Sequence, residues 1–435
     1  MPSIRRREVI GWSLYDFANS AFTTLIVTFI FSRYYADVVA DDPLEGAVMW
    51  TRAVNISAIT VALIMPVLGA VADHSGRKKL FLLIATAQSV VFTALLFFAG
   101  PGDALWAGAA FILANVAFEG SQVFYNGFLP EISTRETMGR VSGLAWGLGY
   151  VGGLLALALG LAMYYGWIPV PDREYLNVRA STLLVAAWYA VFSVPVFLWV
   201  TERAERRRAS LRQYAVIGFR RVGDTFRHLR TFSEAAKLLL ARLIYNDGLT
   251  TIFAMASIYM GATLGMDLGQ AMVVGVAINV AAGIGAATFG YVDDRIGGKR
   301  TIAITLVVLT AATAVGSLTS SVAVFWIAAV FIGLMVGPNQ SASRSLLARF
   351  VPDSKQSEFF GFFAFSGKLS SVAGPFVYGL LLTATGSHRI AMASIIGFFT
   401  IGLVILLTVD EAEGIRAAER YVPPEDETSP AEEVL

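Results

Sequence analysis

The chain has 435 residues, 56% of them hydrophobic and only 15% charged, with a formal net charge of +1 and a mean hydropathy of +0.64. Soluble domains carry about 25% charged and about 45–50% apolar residues, so this composition excludes a soluble enzyme and points to a polytopic membrane protein. The lack of cysteine excludes disulfides and thiolate chemistry, and three scattered histidines (His74, His228, His388) do not make a metal centre, so no metal or cofactor is expected.

In chain order, apolar stretches interrupted by Gly, Pro or charge predict spans at 9–37, 47–72, 80–99, 104–128, 139–166 and 179–201. They resume at 236–264, 267–292, 301–318, 321–348, 359–384 and 389–409. A crossing needs about 20 residues, so each stretch can span the hydrocarbon core or nearly so. Arg5, Arg6 and Arg7 precede an apolar run too long for a signal core, and the first span is expected to be retained. The expected fold is an all-α membrane protein of 12 transmembrane helices. It divides into a six-helix bundle over 1–201, a linker over 202–235, a second bundle over 236–410 and an acidic disordered tail over 411–435.

An even number of spans puts both termini on one side. Of the 33 Lys and Arg, 27 fall on that side when span ends are included, which makes it cytoplasmic by the positive-inside rule. The linker holds Arg203, Arg206, Arg207, Arg208, Arg212, Arg220, Arg221, Arg227 and Arg230, with Leu211, Ala215, Val222, Phe226 and Leu229 at helical spacing. It reads as a basic amphipathic helix on anionic lipid. Nucleic acid is not needed to explain a charge that topology already accounts for.

Polar and charged groups inside a span are costly unless paired or hydrated, so each is a candidate for function. In the first span Asp16 shares a helical face with Asn19, Ser20 and Thr23. It is either functional or an acid tucked below the headgroups near a helix N-terminus. In the fourth, Asn115, Glu119, Gln122 and Asn126 follow at spacings of 4, 3 and 4, forming a cavity lining or a polar seam between helices. Arg242, Asn246, Asp247, Thr250 and Thr251 mark the seventh span, and Asn339, Gln340, Ser343 and Arg344 the tenth. Lys368 lies near mid-depth in the eleventh, as an anchor for a substrate carboxylate or as the partner of Glu119 or Asp16.

The chain repeats itself. Gly69, Asp73, Gly76, Lys78 and Lys79 return as Gly290, Asp294, Gly297, Lys299 and Arg300, at an offset of 221. Pro130, Glu131, Glu136, Gly139 and Gly152 return as Pro352, Asp353, Glu358, Gly361 and Gly374, at an offset of 222. Tyr15 and Asp16 are echoed by Tyr245, Asn246 and Asp247. Both copies enter from the same side, so the repeat is parallel, with an axis along the membrane normal.

The run Gly69-x3-Asp73-x2-Gly76-Arg77-Lys78-Lys79 and its second copy resemble the signature of the major facilitator superfamily. Trp12-x2-Tyr15-Asp16-x-Ala18-Asn19-Ser20-Ala21-Phe22, Tyr125-Asn126-x-Phe128-Leu129-Pro130-Glu131 and Gly139-Arg140-x-Ser142-Gly143 resemble motifs of the fungal vacuolar amino-acid effluxers and their bacterial relatives. The resemblance implies that spans one, four, seven and ten line a central cavity, which puts Tyr15, Asp16 and Asn19 on a cavity helix. It also implies a cytoplasmic gate at Asp73, Gly76, Arg77 and Lys78. Glu131, Glu136, Arg140, Asp353 and Glu358, with Asp294 in the second copy, are similarly placed for interhelical latches.

The function expected on these grounds is secondary transport by rocking of two halves, exporting amino acids or similar zwitterions, with proton coupling through Asp16, Glu119 or Asp247. A monomer in a bacterial cytoplasmic membrane is expected. A lipid or drug exporter of the same fold, and a membrane receptor or scaffold that transports nothing, are the alternatives. No nucleophile–base pair marks an enzyme.

Overall fold

The structure is a computed structural model in which residues 5–40, 42–171, 173–207, 210–227 and 230–422 are described. Outside them lie Arg208 and Leu229 of the predicted linker helix and the predicted tail beyond Val422, as do the side chains of Leu211, Arg212, Ala215 and Phe226. The described residues form helices joined by turns and loops, without a strand.

The first half consists of α1 (Arg6–Val39), α2 (Pro43–Ser75), α3 (Lys78–Phe98), α4 (Ala104–Asn126), α5 (Met138–Tyr164) and α6 (Leu176–Trp199). The second half consists of α7 (Ser233–Leu264), α8 (Leu268–Ile296), α9 (Gly298–Leu318), α10 (Val322–Phe350), α11 (Gln356–Leu369 and Ala373–Thr385) and α12 (His388–Leu407). Eleven of these are long and apolar enough to cross a membrane as single helices. The crossing expected at 359–384 is two shorter helices, interrupted at 370–372. Pro375 supplies the reason: it has no N–H for the carbonyl of Ser371 four residues back, and its ring crowds that carbonyl.

Packing repeats with the sequence. Helix α1 lies against α5 and α6, as α7 lies against α11 and α12, while α3 pairs with α4 as α9 does with α10. The halves meet through α2 against α11 and α5 against α8. Small residues allow that approach: a Cβ on Gly361 would come within 2.5 Å of Pro66 Cα, and one on Gly290 within 2.8 Å of Arg140 Cα. All these contacts lie toward one end of the bundle, the end that carries residues 76, 135, 203 and 297 and the linker. Among the described residues no hydrogen bond or ion pair joins the halves beyond Glu119–Lys368 toward the opposite, far end. The halves are therefore closed at the linker end and part toward the far end.

Two further elements lie under the closed end. The linker helix (Leu211–Arg227) has the predicted spacing, but one of its faces lies on protein. Ile217 is buried, Gly218 packs against Val67 and Val71 of α2, and Arg221 donates to the Ser354 carbonyl at 2.9 Å. Val216 and Phe219 stay exposed. The start of the tail departs from the predicted disorder: Glu411–Arg420 is helical. Asp410 caps it by accepting from Glu413 N at 2.9 Å, and Glu411 accepts the Gly298 and Lys299 amides at the start of α9. Asp410 and Glu411 are thus anions at two helix N-termini, while the acidic run Glu425-Asp426-Glu427 lies outside the described residues.

Candidate functional site

Charged pairs from opposite halves close the centre. Asp16 of α1 meets Arg344 of α10 at 2.9 Å, with both side chains at least nine-tenths buried. The guanidinium also donates to Ser142 Oγ at 2.8 Å, to the Ser142 carbonyl at 2.7 Å and to Asn126 Oδ1 at 3.3 Å. Its Cζ lies 4.8 Å from the ring centre of Trp12 and 5.6 Å from that of Trp146. A planar fork with five donors suits this surround. Asn19 donates to the other Asp16 oxygen at 3.3 Å. Above it on α1, Thr23 is exposed, so a polar face leads from the far end down to Asp16.

The second pair is Glu119 of α4 with Lys368 of α11, joined by a hydrogen-bonded ion pair. Here 18% and 28% of the two side chains remain accessible, in contrast to the sealed Asp16–Arg344 pair. Solvent or a solute can reach this bridge. The structure thus unites Lys368 with one of its two expected mates, while Asp16 takes Arg344.

Asn246 and Asp247 serve the interruption in α11. Asp247 accepts the amides of Ala373 and Gly374 at 3.0 and 2.7 Å, capping the second helical piece. Thr250 donates to the Ser370 carbonyl at 2.8 Å, and Asn246 bonds Ser370 Oγ at 2.5 Å while accepting from Gln340 at 2.8 Å. Backbone freed inside a membrane must find such partners. Asp247, expected to bind or couple, has both its carboxylate oxygens engaged by backbone amides. Several other candidates pack within one half. Tyr15 bonds Thr86 and Tyr189 at 2.6 and 2.7 Å, and Asn115 donates to Ser57 at 2.8 Å. Gln122 is half-buried, with its amide nitrogen unpartnered.

The two copies of the repeated motif make reciprocal contacts at the linker end. Asp73 at the end of α2 accepts the Glu358 amide in the first turn of α11 at 2.9 Å. Asp294 at the end of α8 accepts the Gly139 amide in the first turn of α5 at 2.8 Å, and lies 3.4 Å from Arg140. Lys78 sits between Glu131 at 2.8 Å and Asp73 at 3.9 Å. Gly76 ends α2 with φ +61°, where a Cβ would strike the linker backbone at Glu205. Arg77 stands at the N-cap of α3, and Asp353 is exposed; neither makes an ion pair among the described residues. Residues not singled out from the sequence add to these latches. Arg349 pairs with Asp293 at 2.7 Å, and Thr225 of the linker helix donates to the buried Glu358. Trp12 and Ser142, which cradle Arg344, stand inside motifs that were legible, whereas Thr225 carries no signal of its own.

Residues 44–419 match the protein family described as vacuole effluxer Atg22 like. An uncharacterised MFS-type transporter of Bacillus subtilis, YxiO, is 29% identical over 410 residues, covering 92% of this chain and 94% of that protein. Autophagy-related protein 22 of Yarrowia lipolytica is 23% identical over 312 residues, 64% of this chain, which spans about half of that longer protein (52%). In fold, the human organic anion transporter MFSD10 aligns with a TM-score of 0.73 at 14% identity, over 92% of this chain and 99% of that one.

Proposed function

Because the chain belongs to the vacuole effluxer Atg22-like family and is a membrane transporter of the major facilitator superfamily, we propose that it exports amino acids or similar small polar solutes by alternating access. The observation that carries this reading is the accessible Glu119–Lys368 bridge, which joins the two halves at the floor of a groove parted toward the far end. A solute that competes for either charge loosens the tie between the halves. The Asp16–Arg344 pair and the Asp73 and Asp294 latches lie between it and the linker end, and they must open to admit a solute from that side before export through the far end. Charged and amide groups at the floor favour a polar solute over an amphiphile.

The bias of basic residues supports a cytoplasmic linker end, hence a cytoplasmic membrane and a far end that faces out. The exposed Val216, Phe219 and Arg220 of the linker helix would then meet anionic lipid. One chain supplies both halves of the site, which supports a functional monomer. Proton coupling is assigned to Asp16 and Glu119, the carboxylates that bridge the halves, because Asp247 is held by two backbone amides within its own half.

Proteoliposomes test this. Asp16→Asn and Glu119→Gln should each abolish uptake driven by a pH gradient while leaving solute counterflow measurable. Unchanged pH-driven uptake in both variants contradicts the coupling, and absence of any counterflow in the wild type contradicts transport.

A further inference from the structure

Arg242 stands on α7 one turn toward the linker end from Asn246, with 6% of its surface accessible. A cation within a membrane span is ordinarily paired with an acid. Arg344 and Lys368 follow that rule, and Arg242 does not. Its Nη1 donates to the Phe363 carbonyl at 3.1 Å and to Ser366 Oγ at 2.9 Å, and its Cζ lies 3.5 Å from the Phe363 ring centre. Its Nε is buried with no hydrogen-bond partner, and no carboxylate lies within ion-pair distance among the described residues. The carboxylate whose charge acts on it is Glu119, already bound to Lys368. Asp247, the other acid of this stretch of α7, is held by the Ala373 and Gly374 amides.

Gly367 separates Ser366 from Lys368, and a Cβ there would come within 3.2 Å of Arg242 Nη1. The guanidinium therefore lies against the turn of α11 that carries Lys368, where only the missing side chain of Gly367 leaves room for it. Of these two cations, on α7 and α11, only Lys368 is paired with Glu119, and Arg242 is left without an acid of its own. A neutral zwitterion entering the groove would leave that excess positive charge unchanged, whereas a solute with one net negative charge would balance it.

We propose that Arg242 is an anion-binding residue of the central site, and that the transported solute is a small carboxylate with net negative charge, such as an acidic amino acid or a dicarboxylate. This rests on the reading of the groove as the solute site. The carboxylate lies between Arg242 and Lys368, and any ammonium group of the solute turns to Glu119.

The test is thermal unfolding of the purified protein with glutamate, aspartate or succinate, against glutamine, leucine and tyrosine at matched ionic strength. At least one anion should raise the unfolding midpoint, the neutral amino acids should not, and Arg242→Gln should weaken anion binding about tenfold or more. Arg242→Lys, which keeps the charge, should weaken it less. If the Gln variant does not fold, the wild-type panel and the Lys variant decide. Neutral amino acids binding as tightly as the anions, no shift with any of the three anions, or wild-type affinity in Arg242→Gln overturns the proposal. Flux of neutral amino acids in proteoliposomes would then leave the transporter reading standing, whereas no flux of any solute would remove that as well.

Discussion

Arg344 shows what a single side chain does here: it holds Asp16, Asn126 and Ser142 of the other half at once, with Trp12 and Trp146 against its faces. Lysine carries the same charge but cannot form these bonds together. Arg344→Lys is therefore expected to cost about 2–3 kcal/mol, read as a lower midpoint of unfolding, with the larger loss in the conformer closed at the linker end. An unchanged midpoint would mean that the fork geometry contributes nothing. Gly374→Ala belongs to the same scale. Its Cβ would fall 2.7 Å from Asp247 Oδ1, so the cap of the second α11 piece should be displaced and stability lowered by about 1–3 kcal/mol.

These residues also show how far the sequence could be read. Lys368 was legible as a cation in want of an acid, with Glu119 or Asp16 as its mate or a solute carboxylate in their place, because a charge near mid-depth is costly unless paired. Asp16 and Arg344 were each legible as candidates but not as a pair, since nothing in a single sequence says which helices face one another across a repeat. The part played by Asp247 depends on the interruption of α11, and Gly374-Pro375 within an apolar run marks such a break without saying which side chain caps it. Arg242 was visible as a charge, but its lack of an acid is a property of three helices together.

At the scale of elements, the closed end is held by contacts that repeat with the sequence. Each repeated aspartate accepts an amide from the first turn of a helix in the other half, Asp73 from α11 and Asp294 from α5. The linker helix lies across one of these contacts, with Gly218 on α2 and Thr225 on Glu358 of α11. The tail helix lies near the other, with Glu411 on α9 and Glu419 paired to Arg135 before α5. The spacing of apolar residues made the linker helix legible. It did not reveal which surface its apolar face covers, because lipid and a bundle of small residues demand the same pattern. A Cβ at Gly218 would meet Val67 and Val71 at 2.8 Å, so Gly218→Leu should lift the linker helix. Hydrogen exchange should then rise over 211–227 and over the first turn of α11. A rise confined to 211–227 would show that the linker helix rides on the bundle without bracing it.

At the scale of the whole molecule, the two halves are expected to exchange closure of one end for closure of the other. The chain contains no cysteine, so spin labels can be placed at will. One pair, Thr51→Cys with Thr383→Cys, reports the far ends of α2 and α11; a second, Glu136→Cys with Arg295→Cys, reports the linker ends of α5 and α8. All four residues are exposed. Removing both latches with Asp73→Ala and Asp294→Ala should lengthen the linker-end distance and shorten the far-end distance together. A linker end that opens while the far-end distance stays fixed would contradict the account, and so would two distances that lengthen in concert.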